Sequence, residues 1–159
     1  MQWLSLLSGG QGPLTPEVSE AGIAVHGIKA GVNGTRHTTT GLIHVLVISQ
    51  HELVRRQLVT YLGRSIAVEV SGDEFSVGSI ARARPDVLVL DLSRLTPTQV
   101  GQALDASEQA GARVIALASM FDPTAEQAVT QAGGLYRLKS AGADGLADIV
   151  HTIGAQPRT

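Results

Sequence analysis

The sequence predicts an α/β fold in which a parallel β-sheet is covered by helices on both faces. Three observations predict it. The run Val87–Leu90 is continuously apolar, which is typical of a strand buried on both faces. Strand patterns alternate with helical patterns five times between residues 42 and 153, and this alternation indicates βα units with right-handed crossovers. Asp91 ends the central run, at the edge of the sheet where open α/β folds place their ligands.

The strands are predicted from apolar runs and from the turn residues that flank them. The five predicted strands are Ile43–Ile48, Ile66–Val70, Asp86–Asp91, Ala112–Ala118 and Leu135–Leu138. A turn is predicted over Ser71–Glu74, directly after the second strand.

The first helix is predicted from its end signal and from its apolar face. Ser49 and Glu52 have the spacing of a capping box, so we expect Ser49 to cap this helix. Its buried face is predicted to hold residues at four-residue spacing, namely Val54, Leu58 and Leu62.

Proline and glycine mark the ends of the later helices. These signals are Pro85 after the second helix, Pro97 and Gly111 around the third, and Asp122-Pro123 and Gly133-Gly134 around the fourth. The fifth helix has an apolar stripe at Leu146, Ile149, Val150 and Ile153.

The chain is predicted to hold one folded domain. Residues 1–40 are rich in Gly, Thr and Ser without persistent periodicity, so we expect a flexible N-terminal extension. Residues 41–154 are predicted to form the domain, and residues 155–159 a tail or the start of a linker. The 159 residues suffice for one domain with a substantial core.

Composition argues against several classes of function. Lys and Arg number 12 against 14 Asp and Glu, so we expect neither nucleic acid nor a membrane as the partner of this domain. The absence of cysteine excludes disulfides and thiolate chemistry. No apolar run is long enough to span a bilayer, and the N-terminus lacks the pattern of a secretory signal, which predicts a cytoplasmic protein. No hydrolase elbow or catalytic dyad is present, so we predict that the chain is not an enzyme.

Several stretches together resemble the receiver domains of two-component response regulators, over roughly residues 42–153. The similarity is greatest to receivers of regulators with a helix-turn-helix output, the NarL/LuxR-like group. The stretches that carry it are Val45–Ile48, His51–Arg56, Arg84–Leu92, Arg113–Leu117 and Ala132–Lys139. The resemblance implies a CheY-like fold, which is a flavodoxin-like (βα)5 doubly wound sheet with strand order 2-1-3-4-5.

The resemblance also assigns positions to a candidate site. In that family an aspartate after the third strand accepts a phosphoryl group from a histidine kinase, and Asp91 holds this position. Lys139 matches the lysine that pairs with the phosphoryl group, and Tyr136 matches the aromatic residue at the switch position. The two acids that hold Mg²⁺ in the family are replaced here by Ser49 and Gln50.

A further departure lies after the fourth strand. The family has a Ser or Thr there that contacts the phosphoryl group, whereas this chain has Ala118, with Ser119 one residue later. Mg²⁺ sites usually rest on one or two carboxylates plus waters, and only Asp91 remains. We therefore predict no cofactor and no metal site, with Mg²⁺ bound weakly at best. Lys139 faces one carboxylate instead of three, which favours an Asp91–Lys139 ion pair.

These departures predict an atypical receiver, or pseudo-receiver, that signals through protein–protein contacts largely independent of Asp91 phosphorylation. The expected partner is a second copy or another protein, with a histidine kinase as a further candidate. One alternative is a weakly phosphorylatable receiver that regulates a DNA-binding transcription factor. A more remote alternative is a small-molecule domain of the cobalamin type, which His51 echoes only faintly.

An association surface is predicted in the carboxyl-terminal half. Leu135, Arg137 and the helix over residues 122–132 are expected to be exposed there. Arg137 and Asp122 have opposite charge, so they are candidates to pair across a symmetric interface.

Overall fold

The computed structural model describes residues 41–157, which form a five-stranded parallel sheet with helices on both faces. The strands are β1 (Ile43–Ile48), β2 (Val68–Asp73), β3 (Val87–Asp91), β4 (Arg113–Ala118) and β5 (Leu135–Leu138). The helices are α1 (Glu52–Leu62), α2 (Val77–Ala83), α3 (Pro97–Ala110), α4 (Pro123–Gln131) and α5 (Leu146–Gly154). A short 3₁₀ turn, Lys139–Ala141, follows β5.

The strand order is β2-β1-β3-β4-β5, and every neighbouring pair is parallel. This order confirms the predicted flavodoxin-like fold. The predicted N-terminal extension over residues 1–40 lies outside the described residues. Within residues 41–157, no helix is long and apolar enough to cross a membrane.

The apolar run of β3 is continuous because both faces of this strand are covered. Leu88 and Leu90 pack with residues of α2, α3 and α4, while Val87 and Val89 pack with residues of α1 and α5. All four side chains are fully buried. A strand with one face in solvent would alternate apolar and polar residues instead. The central position of β3 places its last residue, Asp91, in the middle of the sheet edge.

The second strand begins later than the sequence predicts. Ile66 is 90% exposed, and Ala67 has a positive φ of 62°, so these two residues belong to the turn after α1. The strand is Val68–Asp73, and it pairs with the whole of β1. The turn predicted over Ser71–Glu74 was therefore wrong for the residues up to Asp73, which belong to β2. Pairing with β1 keeps this polar segment at the edge of the sheet extended.

The ends of the third and fourth helices agree with the prediction. Thr96 and Gln99 form a reciprocal capping box at the start of α3, and Gly111 ends this helix with a φ of 68°. The Asp122 side chain accepts hydrogen bonds from the backbone of the first turn of α4. Such caps satisfy amide groups that have no partner inside the helix.

Two glycines provide a matched test of packing. A methyl group on Gly134 would lie 2.9 Å from Val129 Cγ1 and 3.2 Å from the Val114 carbonyl oxygen, whereas one on Gly101 would meet nothing within 4 Å. We expect Gly134→Ala to lower the free energy of unfolding by about 1–3 kcal/mol. Gly101→Ala, inside α3, should raise it by about 0.5–1 kcal/mol. Urea denaturation measures both, and equal effects of the two changes would contradict the packing described here.

Candidate functional site

Asp91 lies at the carboxyl end of β3 with its side chain fully buried. Its Oδ1 accepts from Lys139 Nζ at 2.6 Å and from the Ser93 amide at 3.0 Å. Its Oδ2 accepts from Ser49 Oγ at 2.8 Å. The predicted Asp91–Lys139 ion pair is therefore present, and both carboxylate oxygens are occupied by donors from this chain.

Burial raises the pKa of Asp91, but the hydrogen bond from Lys139 and those from Ser93 and Ser49 lower it more. The net pKa lies below the ordinary value of 3.8. The carboxylate is therefore ionised at neutral pH, and its charge is balanced by Lys139, whose side chain is 25% exposed. Charge-assisted hydrogen bonds of this kind are the strong ones in a buried site.

Ser49 faces Asp91 instead of capping the first helix. The residue at the N-cap of α1 is His51, and no side chain caps this end. The His51 amide donates to Ser49 Oγ at 3.1 Å, and Arg55 Nη1 donates to the Ser49 carbonyl oxygen at 2.8 Å. The predicted capping box with Glu52 was wrong, because α1 begins after His51 and the Ser49 hydroxyl oxygen accepts from the His51 amide instead of from the first turn of the helix.

Ser93 is a member of the site that the sequence prediction did not select. Its hydroxyl accepts from Lys139 Nζ at 2.9 Å and lies 2.9 Å from Ser119 Oγ. Ser119 thus reaches the ion pair only through Ser93. The sequence holds a local signal for this role of Ser93. An Asp side chain commonly accepts a hydrogen bond from the backbone amide two residues later, in a turn.

The remaining two predicted pocket residues take no part in the hydrogen bonds of Asp91. Ala118 is buried at the end of β4, and its methyl group has no polar atom to offer. Gln50 is half-buried in the loop after β1. Asp91, Lys139, Ser49 and Ser119 are thus brought together directly or through Ser93, whereas Ala118 and Gln50 contribute no polar contact to the group.

Tyr136 connects β5 to the loop before α4. Its hydroxyl accepts from the Asp122 amide at 3.0 Å and donates to the Met120 carbonyl oxygen at 3.2 Å. Its ring meets Phe121 edge to face, with ring centres 6.3 Å apart. Tyr136, at the predicted switch position, is therefore half-buried. Its hydroxyl both accepts a hydrogen bond from the β4–α4 loop and donates one to it.

The residues around Asp91 do not suit a Mg²⁺ ion. No group of three or more His, Asp or Glu side chains is placed to hold a metal within the described part of the chain. Asp91 is the only carboxylate in the group, and its oxygens already accept from Lys139, Ser93 and Ser49. A hard divalent cation needs oxygen ligands that are free to coordinate it.

Arg137 departs from its predicted place on an exposed contact surface. The residue is half-buried, and its Nη2 donates to the carbonyl oxygens of Gly142 and Asp144. Leu135 is 41% exposed, as expected. Leu135 and Arg137 lie two residues apart and therefore on the same face of β5; they differ because the loop after β5 supplies carbonyl acceptors to Arg137.

Several solved structures similar to this chain are response regulators or their receiver domains. The signal receiver domain of the response regulator NarL from Mycobacterium tuberculosis matches 74% of this chain and 99% of its own length, with 22% identity and a TM-score of 0.62. A LuxR-family DNA-binding response regulator from Staphylococcus aureus matches 71% of this chain and 99% of its own length, with 15% identity and a TM-score of 0.62.

A third similar structure is the response regulator ChrA of a heme-sensing two-component system. It matches 75% of this chain at 27% identity with a TM-score of 0.59, and the match spans 60% of ChrA. No protein-family model matches the sequence, and neither does any curated protein. The strand order and these similarities together show that residues 41–157 have the fold of a response regulator receiver domain.

Proposed function

We propose that this chain is an atypical receiver domain that passes on a signal through protein–protein contacts, largely independently of Asp91 phosphorylation. One observation carries the proposal: the Asp91 carboxylate is already bound by a cation and two further donors. A phosphoryl donor and its Mg²⁺ would have to compete with all three. A cytoplasmic location and the absence of catalysis are parts of the same proposal.

Charge balance supports this reading. Phosphoryl transfer is catalysed mainly by positioning and by cations that offset the charge on the phosphoryl oxygens. Here Lys139 is the one cation in contact with Asp91 among the described residues, and it neutralises the carboxylate that would attack. Ser49 and Gln50 are neutral, so they add little attraction for Mg²⁺. We therefore expect phosphorylation to be very slow and Mg²⁺ to bind weakly at best.

The proposed contact surface lies beside Tyr136. Met120 and Phe121 are 81% and 61% exposed, and exposed apolar groups that lie together commonly mark interaction sites. Met120 and Phe121 also line a groove of about 570 Å³ between the β3–α3 loop and α4. A second copy of the chain, or another protein, would cover this apolar surface.

Sedimentation velocity of the full chain, with and without acetyl phosphate and Mg²⁺, tests the proposal. We expect the same association state in both conditions, no phosphoryl adduct in the intact mass, and weaker association in Phe121→Glu. Glu108→Gln, an exposed change on α3, is the control and should leave association unchanged. An adduct on wild type that is absent from Asp91→Asn, or assembly only with acetyl phosphate, would contradict the proposal.

A second candidate is the regulatory domain of a DNA-binding regulator that is phosphorylated slowly. The similarity to a DNA-binding response regulator of the LuxR family favours it. The association measurement separates the two candidates, because only this one requires that a phosphoryl group on Asp91 changes association.

A further inference from the structure

A cavity of about 370 Å³ lies between α1, β5 and the start of α5. Its volume is in the range of small-molecule sites. Its walls are mainly apolar, and two cations are present among its principal lining residues: Val54, Leu58, Leu117, Leu146, Arg137 and Lys139. We call this cavity the Arg137 pocket.

The two cations of the Arg137 pocket differ in how their charge is balanced. Lys139 forms an ion pair with Asp91. Arg137 forms no ion pair with a carboxylate of the described residues, and no Asp or Glu lines the cavity. The pocket therefore has one positive charge that this part of the chain does not neutralise.

The guanidinium group of Arg137 also has an unused donor. Its Nη2 donates to the carbonyl oxygens of Gly142 and Asp144, at 3.4 and 2.8 Å. Its Nε is buried and has no hydrogen-bond partner. A buried donor without an acceptor is unfavourable, and such groups are rare in folded proteins. The Arg137 guanidinium group is therefore not fully satisfied by this part of the chain.

We propose that the Arg137 pocket binds a small monocarboxylate with an apolar body. The carboxylate would accept hydrogen bonds from the guanidinium group and balance its charge. The apolar body would pack against Val54, Leu58, Leu117 and Leu146. A polyphosphate or sugar ligand fits less well, because these walls offer few polar groups for the rest of such a molecule.

Octanoate and 1-octanol are matched probes, since they share an apolar chain and differ in the carboxylate. We would titrate each into the full chain and follow amide NMR shifts, with Gly142, Ala143 and Leu146 as reporters. We expect saturable binding of octanoate at these residues, with an affinity about tenfold or more above that of 1-octanol. Arg137→Gln should weaken octanoate binding by a similar factor and leave 1-octanol binding nearly unchanged.

Arg56→Gln is the control for general charge, because the Arg56 side chain is 75% exposed on α1 and lies outside the Arg137 pocket. It should bind octanoate like wild type. Equal affinity of wild type for the two probes would overturn the proposal without any variant. Shifts at Met120 and Phe121 in place of the pocket residues, or unchanged octanoate binding in a folded Arg137→Gln, would overturn it as well.

Discussion

Replacing Lys139 with methionine should lower the free energy of unfolding by about 2–3 kcal/mol at neutral pH. The change leaves the fully buried Asp91 carboxylate without its cation, and removal of one partner from a buried ion pair is strongly destabilising. We place the effect below the largest known values because Ser49 and Ser93 still donate to the carboxylate. Urea denaturation measures the difference.

Asp91→Asn is the comparison that makes this test specific. Lys139 is 25% exposed, so its ammonium group can turn to water when its partner is neutralised, whereas Asp91 cannot leave the core. We therefore expect Asp91→Asn to cost less than Lys139→Met. A larger cost for Asp91→Asn would mean that the lysine, and not the carboxylate, depends on the pair.

The pH dependence of stability follows from the lowered pKa of Asp91. In the unfolded chain this carboxyl group takes up a proton near its ordinary value of 3.8, and in the folded state it does so only at lower pH. The stability that it contributes is thus present above pH 3.8 and is lost as the pH falls through the folded-state value. The difference in free energy of unfolding between wild type and Lys139→Met should become smaller in the same acid range, because protonation of Asp91 removes the buried charge.

Introducing both missing acids, Ser49→Asp with Gln50→Asp, should produce a Mg²⁺ site at Asp91. Without metal the variant should be less stable than wild type, since Ser49 is fully buried and a carboxylate there would face Asp91 in place of a hydroxyl donor at 2.8 Å. Mg²⁺ at ten times its dissociation constant should then restore about 1.4 kcal/mol. Thermal denaturation with and without Mg²⁺ measures this gain.

Wild type and Ser49→Ala are the controls for this variant, and neither should respond to Mg²⁺ beyond the effect of ionic strength. Acetyl phosphate should label the double variant faster than wild type, provided that Asp91 is present. If wild type gains as much stability from Mg²⁺ as the double variant does, then Ser49 and Gln50 are not the reason for weak metal binding.

The fold was predictable from the sequence where helix ends carry local capping residues and where a strand is buried on both faces. The β3 run is apolar throughout because both of its faces are covered, and the limits of α3 and α4 follow from caps and prolines in the sequence. The start of β2 was not predictable in this way. Ile66 suggests a strand by its apolar character, yet Val68–Asp73 is extended because β1 supplies its hydrogen bonds.

The candidate site was predictable from the resemblance, but its hydrogen bonds were not. The order of the strands brings Asp91 and Lys139 to one edge, so their pairing follows from the fold. The roles of Ser49 and Ser93 depend on the buried Asp91 carboxylate, which accepts from both. Along the chain Asp91 is 42 residues from Ser49 and two residues from Ser93. The half-buried place of Arg137 depends on carbonyl groups of the β5–α5 loop, which no periodicity in the sequence reveals.

The two hydrogen bonds of the Tyr136 hydroxyl make its ring and the β4–α4 loop one conformational unit. If the ring rotates toward solvent, the Asp122 amide and the Met120 carbonyl group both lose a partner. At a net cost of about 1–2 kcal/mol, the outward rotamer would be roughly one sixth of the population or less. A partner that binds only the outward rotamer would lose affinity in the same proportion, whereas one that binds the inward ring would meet a surface that is already ordered.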